Sequence, residues 1–241
     1  MLGSSNSVTS FHKQFQPNDI SDCELYLNYA DGIVLDGALV DSWADQSGNG
    51  LFAVPPTDGK RPVHSATRLT FDGSNDYMNI QTSPIPGVGA NQITLDVDGG
   101  WTFIGIYTST DWNGTVQAIS GDPGDSQNFI RHNVDDTITV KTSNASRFFT
   151  LSAPLTDNRY YMIEVSRAEG GLTTIYINGF AQSDTETSNT DFEVEEIGAK
   201  QATANALGGS IKHIILYNHN ITSEERTLLV DWSQQYLKYH S

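Results

Sequence analysis

Short stretches in which apolar and polar residues alternate recur along most of the chain and predict β-strands. In "DCELYLNY", residues 22–29, Leu25 and Leu27 fall on one side of an extended segment, which is the two-residue period of a half-buried strand. The same alternation, or a short apolar run, recurs at residues 68–80, 92–98, 101–108, 116–120, 128–134, 137–142, 147–152, 160–168, 172–180, 193–199 and 209–218. A series of this kind is typical of an all-β protein.

Turn-forming dipeptides separate nearly all of these stretches. They include Asp72-Gly73, Asp98-Gly99, Asn113-Gly114, Gly170-Gly171 and Asn178-Gly179. Pairs of this composition adopt the positive φ angles that tight hairpins require. Many short strands joined by tight turns, with almost no helical periodicity between them, favour two packed antiparallel sheets.

One α-helix is predicted, in "ITSEERTLLVDWSQQYLKY" near the C-terminus. Thr222 can cap its first turn, and Glu225, three residues later, can complete a capping box. The apolar residues that follow at helical spacing on one face are Leu228, Leu229, Trp232 and Tyr236. We expect this face to pack on the sandwich, because the sheets offer the apolar surface that it needs.

The chain divides into an arm and one domain. Residues 1–22 are rich in Ser, Asn and Gln and show no period, so we expect an extended N-terminal arm that is either disordered or ordered only against a partner. Residues 23–241 contain no internal repeat and no linker rich in Pro and Gly. They are predicted to form one domain.

Four quoted stretches, taken in order, carry a resemblance to a known family. They are "YLNYADGIVLDGALVDSWADQSGNG", "LTFDGSNDYMNI", "TTIYINGFAQ" and "GGSIKHIILYNHNITSEERTLLVDWSQQYL". Together they resemble the laminin-G-like branch of the concanavalin A-like jelly rolls. The resemblance implies a two-sheet antiparallel jelly-roll sandwich with one C-terminal α-helix. It also implies binding of glycans or proteins, often within extracellular enzymes, adhesins and phage structural proteins.

Trp43 precedes a tight turn in "WADQSGNG" and poses a choice between packing and ligand binding. Residues 46–50 supply the turn-forming residues Gln, Ser, Gly, Asn and Gly. We interpret Trp43 as a ring at the edge of the core that the following turn holds in place, because such rings are chiefly packing anchors. A sugar-stacking role for Trp43 is the alternative.

Charge and cysteine content exclude several classes of function. The formal net charge is −16, and the 13 Lys and Arg form no basic cluster in the sequence. An acidic surface repels phosphates, so no nucleic-acid partner and no anionic membrane partner is expected. Cys23 is the single cysteine, which leaves no intrachain disulfide, and we expect an inert, partly buried thiol. No apolar run has the length of a membrane span, and the first fifteen residues lack the apolar core of a secretory signal.

The catalytic patterns of jelly-roll enzymes are incomplete in this sequence. Glu193 and Glu195 share a strand face, but Ile197 stands where the retaining jelly-roll glycosidases carry a third carboxylate. Alginate lyases of this fold use an Arg-rich strand and a Gln-x-His pair. Gln127, Arg131 and His132 have another order and spacing, and Arg131 and His132 should face opposite sides of their strand. With no nucleophile elbow and no histidine pair at metal-ligand spacing, the sequence predicts that the protein is not an enzyme.

A ligand-binding loop is predicted at "STDWNGT". It places Trp112 at a predicted hairpin tip, with Asp111 and Asn113 beside it. An aromatic ring flanked by polar groups on a loop is the arrangement that a glycan-binding site needs. The alternative is that Trp112 folds back onto the sandwich or docks on another subunit.

Calcium is the one cofactor that the sequence leaves open. Hard oxygen ligands at close spacing suit Ca²⁺, and family members sometimes hold it on such loops. The candidate ligands are Asp72, Asn75 and Asp76 in "DGSNDY", and Asp122 and Asp125 in "GDPGDSQN". The same residues are ordinary turn residues, so a turn without metal is the alternative.

An extracellular domain type without a secretory signal indicates a virus, whose proteins fold in the host cytoplasm and leave by lysis. The sequence therefore predicts a non-enzymatic virion protein of a bacteriophage: a capsid decoration, head-fibre or tail-associated subunit for adhesion. Its expected partners are other virion proteins, bound through the arm, host-surface glycans and further copies of itself in a homo-oligomer. The alternative is a carbohydrate-active enzyme or its glycan-binding module. A third interpretation is a cytoplasmic sandwich that assembles through its strand edges.

Overall fold

A computed structural model describes residues 13–122, 127–143, 145–201 and 204–237, and these are almost all strands and turns. The strands are β1 Cys23–Asn28, β2 Ile33–Asp36, β3 Leu39–Ala44, β4 Phe52–Val54, β5 Val63–Ser65, β6 Arg68–Asp72, β7 Met78–Gln81, β8 Ile93–Leu95, β9 Trp101–Ser109, β10 Gln117–Gly121, β11 Phe129–His132, β12 Thr137–Thr142, β13 Ala145–Thr150, β14 Tyr161–Arg167, β15 Leu172–Ile177, β16 Phe180–Thr187, β17 Phe192–Val194, β18 Glu196–Ile197 and β19 Gly208–Tyr217. One helix, α1, spans Ser223–Leu237.

The strands form two antiparallel layers, which confirms the predicted fold class. In the first layer the pairing order is β1, β19, β9, β14, β15 and β16. In the second layer it is β3, β4, β7, β18, β10, β11, β12 and β13. At one edge β6 pairs with β19 of the first layer and with β5, and β5 pairs with β3 of the second layer, so the sandwich is nearly closed.

The main core lies between the two layers. Phe103 and Ile214 of the first layer pack there with Met78 and Ile130 of the second. Because side chains alternate along a strand, the neighbours Ile104 and Ile215 lie on the opposite face of the first layer, in a second cluster. The central strands of this layer are therefore buried on both faces, which explains their continuous apolar runs.

Helix α1 covers that second cluster with Leu229 and Trp232. Its predicted capping box is confirmed: the amide of Glu225 donates to Thr222 Oγ1 over 3.2 Å, and the Thr222 amide donates to Glu225 Oε2 over 2.8 Å. The prediction for Leu228 is wrong, since 47% of its surface is exposed. A helix that rests on a flat sheet buries a narrower stripe than the four predicted residues would span.

The described end of the predicted arm packs on the chain's own sandwich. A 3₁₀ turn at Pro17–Asp19 lies beside β1, and the Tyr217 hydroxyl donates to the Pro17 carbonyl over 2.9 Å. Ile20 is buried in the cluster beneath α1, and Phe15 packs at its margin. Residues 1–12, where the predicted contact with a partner would begin, lie outside the described residues.

The burial of the Trp43 ring confirms the interpretation that this ring packs in the core and is not a sugar-stacking surface. Trp43 is fully buried in the main core, and its Nε1 donates to the Asn28 carbonyl over 2.8 Å. The Asp45 carboxylate accepts hydrogen bonds from the amides of Tyr26 and Ser47, each over 2.8 Å. Asp45 thereby ties the turn to β1, next to the end of β3 that carries Trp43.

Candidate functional site

A groove of about 730 Å³ lies between α1 and the hairpin of β15 and β16. Its lining residues come from that hairpin, from the start of β14 and from α1: Arg159, Tyr160, Tyr176, Asn178, Gly179, Phe180, Ser223, Arg226, Thr227, Val230, Gln234 and Leu237. A second pocket of about 380 Å³ shares Arg159, Asn178 and Phe180 with it. The two pockets thus adjoin, in the size range of small-ligand sites.

The hairpin turn at Asn178 and Gly179 brings Phe180 to the groove. Asn178 and Gly179 have φ angles of 51° and 84°, and Phe180 pairs with Ile177 directly after the turn. A Cβ atom at Gly179 would lie 2.6 Å from Val230 Cγ2. Only glycine therefore lets the turn approach α1 this closely, and the result is an aromatic ring at the groove with 76% of its surface exposed.

Polar contacts hold the residues around Phe180. Asn178 Oδ1 accepts from the Met162 amide over 2.9 Å, so the two N–H groups of its side-chain amide stay available as donors. Gln182 Nε2 donates to the Phe180 carbonyl over 3.0 Å, and Gln182 Oε1 accepts from the amide and hydroxyl of Ser152, each over 2.9 Å. The floor beneath the exposed ring is thereby fixed.

A buried ion pair anchors α1 at the groove wall. Arg226 Nη2 donates to Glu164 Oε1 over 2.7 Å, and Arg226 Nε donates to Oε1 and Oε2 over 2.9 and 3.0 Å. Burial raises the pKa of Glu164 against the opposing effect of Arg226. The Arg226 guanidinium also lies 3.8 Å from the centre of the Tyr176 ring. Charge and aromatic contact together fix the position of α1 relative to β14 and β15.

The prediction that the Trp112 ring is presented to a ligand at a loop tip is wrong. Trp112 is 2% exposed and lies in the main core, with its ring centre 4.5 Å from that of His132 and 5.4 Å from that of Tyr107. The void beside it measures about 10 Å³, which is the space of a single water rather than of a sugar ring. Asp111 and Asn113 therefore flank a packed ring, so the predicted loop has no aromatic surface for a ligand.

The predicted calcium ligands at Asp72, Asn75 and Asp76 form a self-capped turn. Asp72 Oδ1 accepts from the amides of Ser74 and Asn75 over 2.8 and 2.9 Å, and Asp76 Oδ2 accepts from the Asp72 amide over 3.0 Å. Burial, and then the charge of Asp72, raise the pKa of Asp76 to about 6. These carboxylate oxygens accept hydrogen bonds from amides of the turn itself.

The other predicted calcium ligands lie on the loop after β10. Asp122 is buried, and Asp125 lies outside the described residues. Among the residues that the structure describes, no three His, Cys, Asp or Glu side chains are grouped to hold a metal ion.

The structure separates the remaining residues weighed for catalysis. His132 lies inside, beneath Trp112, whereas Arg131 lies on the outer side over Phe129, so the prediction of opposite faces is confirmed. Glu193 is half-buried and accepts from Asn128 Nδ2 over 2.9 Å. Burial raises the pKa of the Cys23 thiol to about 12, in agreement with an inert cysteine.

The groove residues are not predicted from the sequence, although two sequence features lie at the groove. The first is the Asn178-Gly179 turn, but nothing in the sequence indicates that Phe180 after it stays exposed. The second is a stripe of residues at helical spacing on α1, beside the buried stripe: Thr227, Val230, Gln234 and Leu237.

No helix of the described residues has the length and apolar character to cross a membrane.

Comparisons with known proteins establish the fold. No family model matches the chain, and no curated protein matches it. Among solved structures, Trypanosoma rangeli sialidase in complex with sialic acid superposes with a TM-score of 0.60 at 13% identity, over 90% of this chain and 33% of the sialidase. The ligand-binding domain of botulinum neurotoxin serotype D in complex with N-acetylneuraminic acid gives 0.58 at 13% identity, over 89% of this chain and 51% of the toxin chain.

These likenesses correct one prediction from the sequence. The chain spans about a third of the sialidases, and sialidases are enzymes. The prediction that the protein is not an enzyme is therefore wrong, because this fold also occurs in enzymes and incomplete catalytic patterns do not exclude catalysis. A domain of this fold forms part of enzyme chains.

Proposed function

We propose that this β-sandwich is the glycan-binding part of a carbohydrate-active enzyme and that a sugar occupies the groove beside α1. The observation that carries the proposal is the exposed Phe180 ring, held at a concave surface among polar side chains. Ligand sites are typically concave and lined by apolar and aromatic side chains, with a few polar groups that orient the ligand. The resemblance to laminin-G-like jelly rolls implies two classes of ligand, glycans and proteins, and the groove has the chemistry of a glycan site.

The chemistry of the groove matches that of a sugar. The C–H face of a pyranose is apolar and packs on an aromatic ring such as Phe180. Its hydroxyl groups need hydrogen-bond partners, which the side-chain amides of Asn178 and Gln234 can supply. The Thr227 hydroxyl, which donates to the Ser223 carbonyl over 2.8 Å, can accept a further hydrogen bond. Arg159 lines both pockets and adds a cation for an acidic sugar. The sialic acids bound by the sialidase and the toxin domain are acidic sugars, which supports this choice of ligand.

A glycan array tests the proposal with three proteins. The native chain is expected to retain sialylated or other acidic glycans, and Phe180→Ala is expected to lose at least tenfold in affinity. Leu172→Ala is the matched control, because it removes an apolar side chain that is 49% exposed at the far end of β15. Equal binding by native protein and Phe180→Ala would remove the groove from consideration.

We further propose that the catalytic activity resides in a domain fused to this sandwich or in an enzyme encoded beside it. Sequencing the gene on both sides of this chain is expected to show a catalytic domain or a neighbouring glycoside-cleaving enzyme. Neighbours that encode portal, capsid or tail proteins would instead favour the virion role predicted from the arm. That virion role, with its partners and its location on a particle, stays a prediction that localisation on purified virions tests.

A further inference from the structure

Three cations surround one aromatic ring on the second layer. Arg131 Cζ lies 5.0 Å from the centre of the Phe129 ring, Lys200 Nζ lies 4.6 Å from it and Lys141 Nζ lies 5.9 Å from it. The whole chain has only 13 Lys and Arg and a net charge of −16. Three cations at one ring are therefore a marked concentration of positive charge, which the sequence did not show because Lys200 is remote from the other two.

The fold places these side chains on the outer face of the second layer. Ile130 and Val140 belong to the main core, so their strand neighbours Phe129, Arg131 and Lys141 point the other way. Phe129 and Lys141 are register partners. Lys200 follows β18, and its amide donates to the Ala204 carbonyl over 2.9 Å. We call this group, Arg131, Lys141 and Lys200 around Phe129, the cation cluster.

Two cations of the cluster, Arg131 and Lys200, make no ion pair with any of the described residues. Arg131 Nη1 contacts the neutral Asn205 Oδ1 at 3.5 Å, and its buried Nε has no hydrogen-bond partner in the part of the chain that the structure describes. Burial, and then the charges of Arg131 and Lys141, lower the pKa of Lys200. Like charges held this closely repel one another, and a bound anion would relieve the repulsion.

An exposed aromatic ring lies on the same face. Thr139 is the register partner of both Arg131 and Phe148, and Phe149 points into the main core. Phe148 therefore points outward, with 56% of its surface exposed. It lies two strands from Arg131, at about 10 Å by the spacing of strands in a sheet, which is about the length of two sugar residues.

We propose that this outer face binds a polysaccharide that carries carboxylate or sulfate groups. The cation cluster binds an anionic group through charge-assisted hydrogen bonds, and Phe148 packs against a sugar ring further along the chain. The site shares no residue with the groove beside α1, so it stands whether or not a sugar binds there.

Binding to immobilised polymers tests this site. The probes are polygalacturonate, dextran sulfate and neutral dextran, each measured with native protein, Arg131→Gln/Lys200→Gln, Phe148→Ala and the control Lys13→Gln/Lys60→Gln. The control removes the same two charges away from the cluster. We expect binding to one or both acidic polymers and none to dextran, at least a tenfold loss in the first double variant and in Phe148→Ala, and less than a twofold change in the control.

Several outcomes would overturn the proposal. Equal losses in the two double variants would mean that only net charge matters, and equal binding of dextran would exclude the anionic group. Inorganic sulfate that saturates the protein as tightly as dextran sulfate, with Phe148→Ala unaffected, would reduce the site to a small-anion site. Thermal unfolding of the single variant Lys200→Gln shows whether the variant folds. If it folds and binds the acidic polymers with the affinity of the native protein, the proposal is contradicted.

Discussion

Gly179 in the hairpin turn lies directly against Val230 of α1, so closely that a Cβ at Gly179 would lie 2.6 Å from Val230 Cγ2. The contact joins two elements that are 51 positions apart in the sequence. It sets the width of the groove and the position of Phe180 next to the turn. The exposed ring is therefore a consequence of close packing between hairpin and helix.

Gly179→Ala is expected to destabilise the protein by about 2–4 kcal/mol. The substitution adds strain at a φ of 84° and a clash that must push the hairpin from the helix. Gly170→Ala is the control, because Gly170 has a φ of 87° and a Cβ added there would meet nothing within 4 Å. It should lose only about 1 kcal/mol. Equal losses in urea unfolding would mean that the contact with Val230 carries no weight.

Arg226→Met is expected to cost about 3 kcal/mol or more, because it leaves the carboxylate of Glu164 buried without its partner. Glu164 is fully buried, so neutralising it as well should recover much of the loss. Urea unfolding of Arg226→Met, Glu164→Gln and the double variant gives the coupling energy of the pair. If the two single losses simply add, the ion pair does not anchor α1.

Acid should destabilise the fold through two buried histidines. Burial lowers the pKa of His132 to about 3, and burial followed by the charge of Lys212 lowers the pKa of His213 well below its usual value. Each histidine takes up a proton near pH 6.5 when unfolded but stays neutral in the fold. The contribution of the two neutral histidines to the free energy of unfolding is therefore fully present above about pH 6.5. Below that pH the free energy of unfolding falls by about 1.4 kcal/mol per pH unit for each histidine.

Asp76 opposes this trend, because its raised pKa, about 6, makes the fold gain stability as pH falls from 6 towards 4.

His132→Gln should remove one histidine's share of the slope between pH 6 and pH 4. Unfolding free energies of native protein and variant, measured by urea titration at four pH values, check this. Parallel pH profiles would show that His132 is protonated in the fold.

The long central strands were predictable from sequence because burial on both faces leaves an unbroken apolar run. Residues 101–108 were predicted as a strand and Trp101–Ser109 is one. The short strands β2, Ile33–Asp36, and β4, Phe52–Val54, were not identified as strands. A segment of three or four residues contains less than two periods of alternation, and its extended form comes from pairing with neighbours.

The site was not predictable, and two aromatic residues beside Asn-Gly turns show why. Trp112 precedes Asn113-Gly114, and Phe180 follows Asn178-Gly179, so both have the same local pattern. Trp112 folds into a gap beside Tyr107 and is 2% exposed, whereas Phe180 is 76% exposed. The difference depends on packing between elements that are distant in sequence, which no local pattern records.

The most direct test of the proposed glycan-binding groove is an NMR titration of the native chain with a sialylated oligosaccharide. We expect saturable shift changes at the Phe180 ring, the Asn178 side-chain amide and the Thr227 amide, with Leu172 unchanged. Saturable shifts confined to other faces of the sandwich, with the groove resonances unmoved, would contradict it.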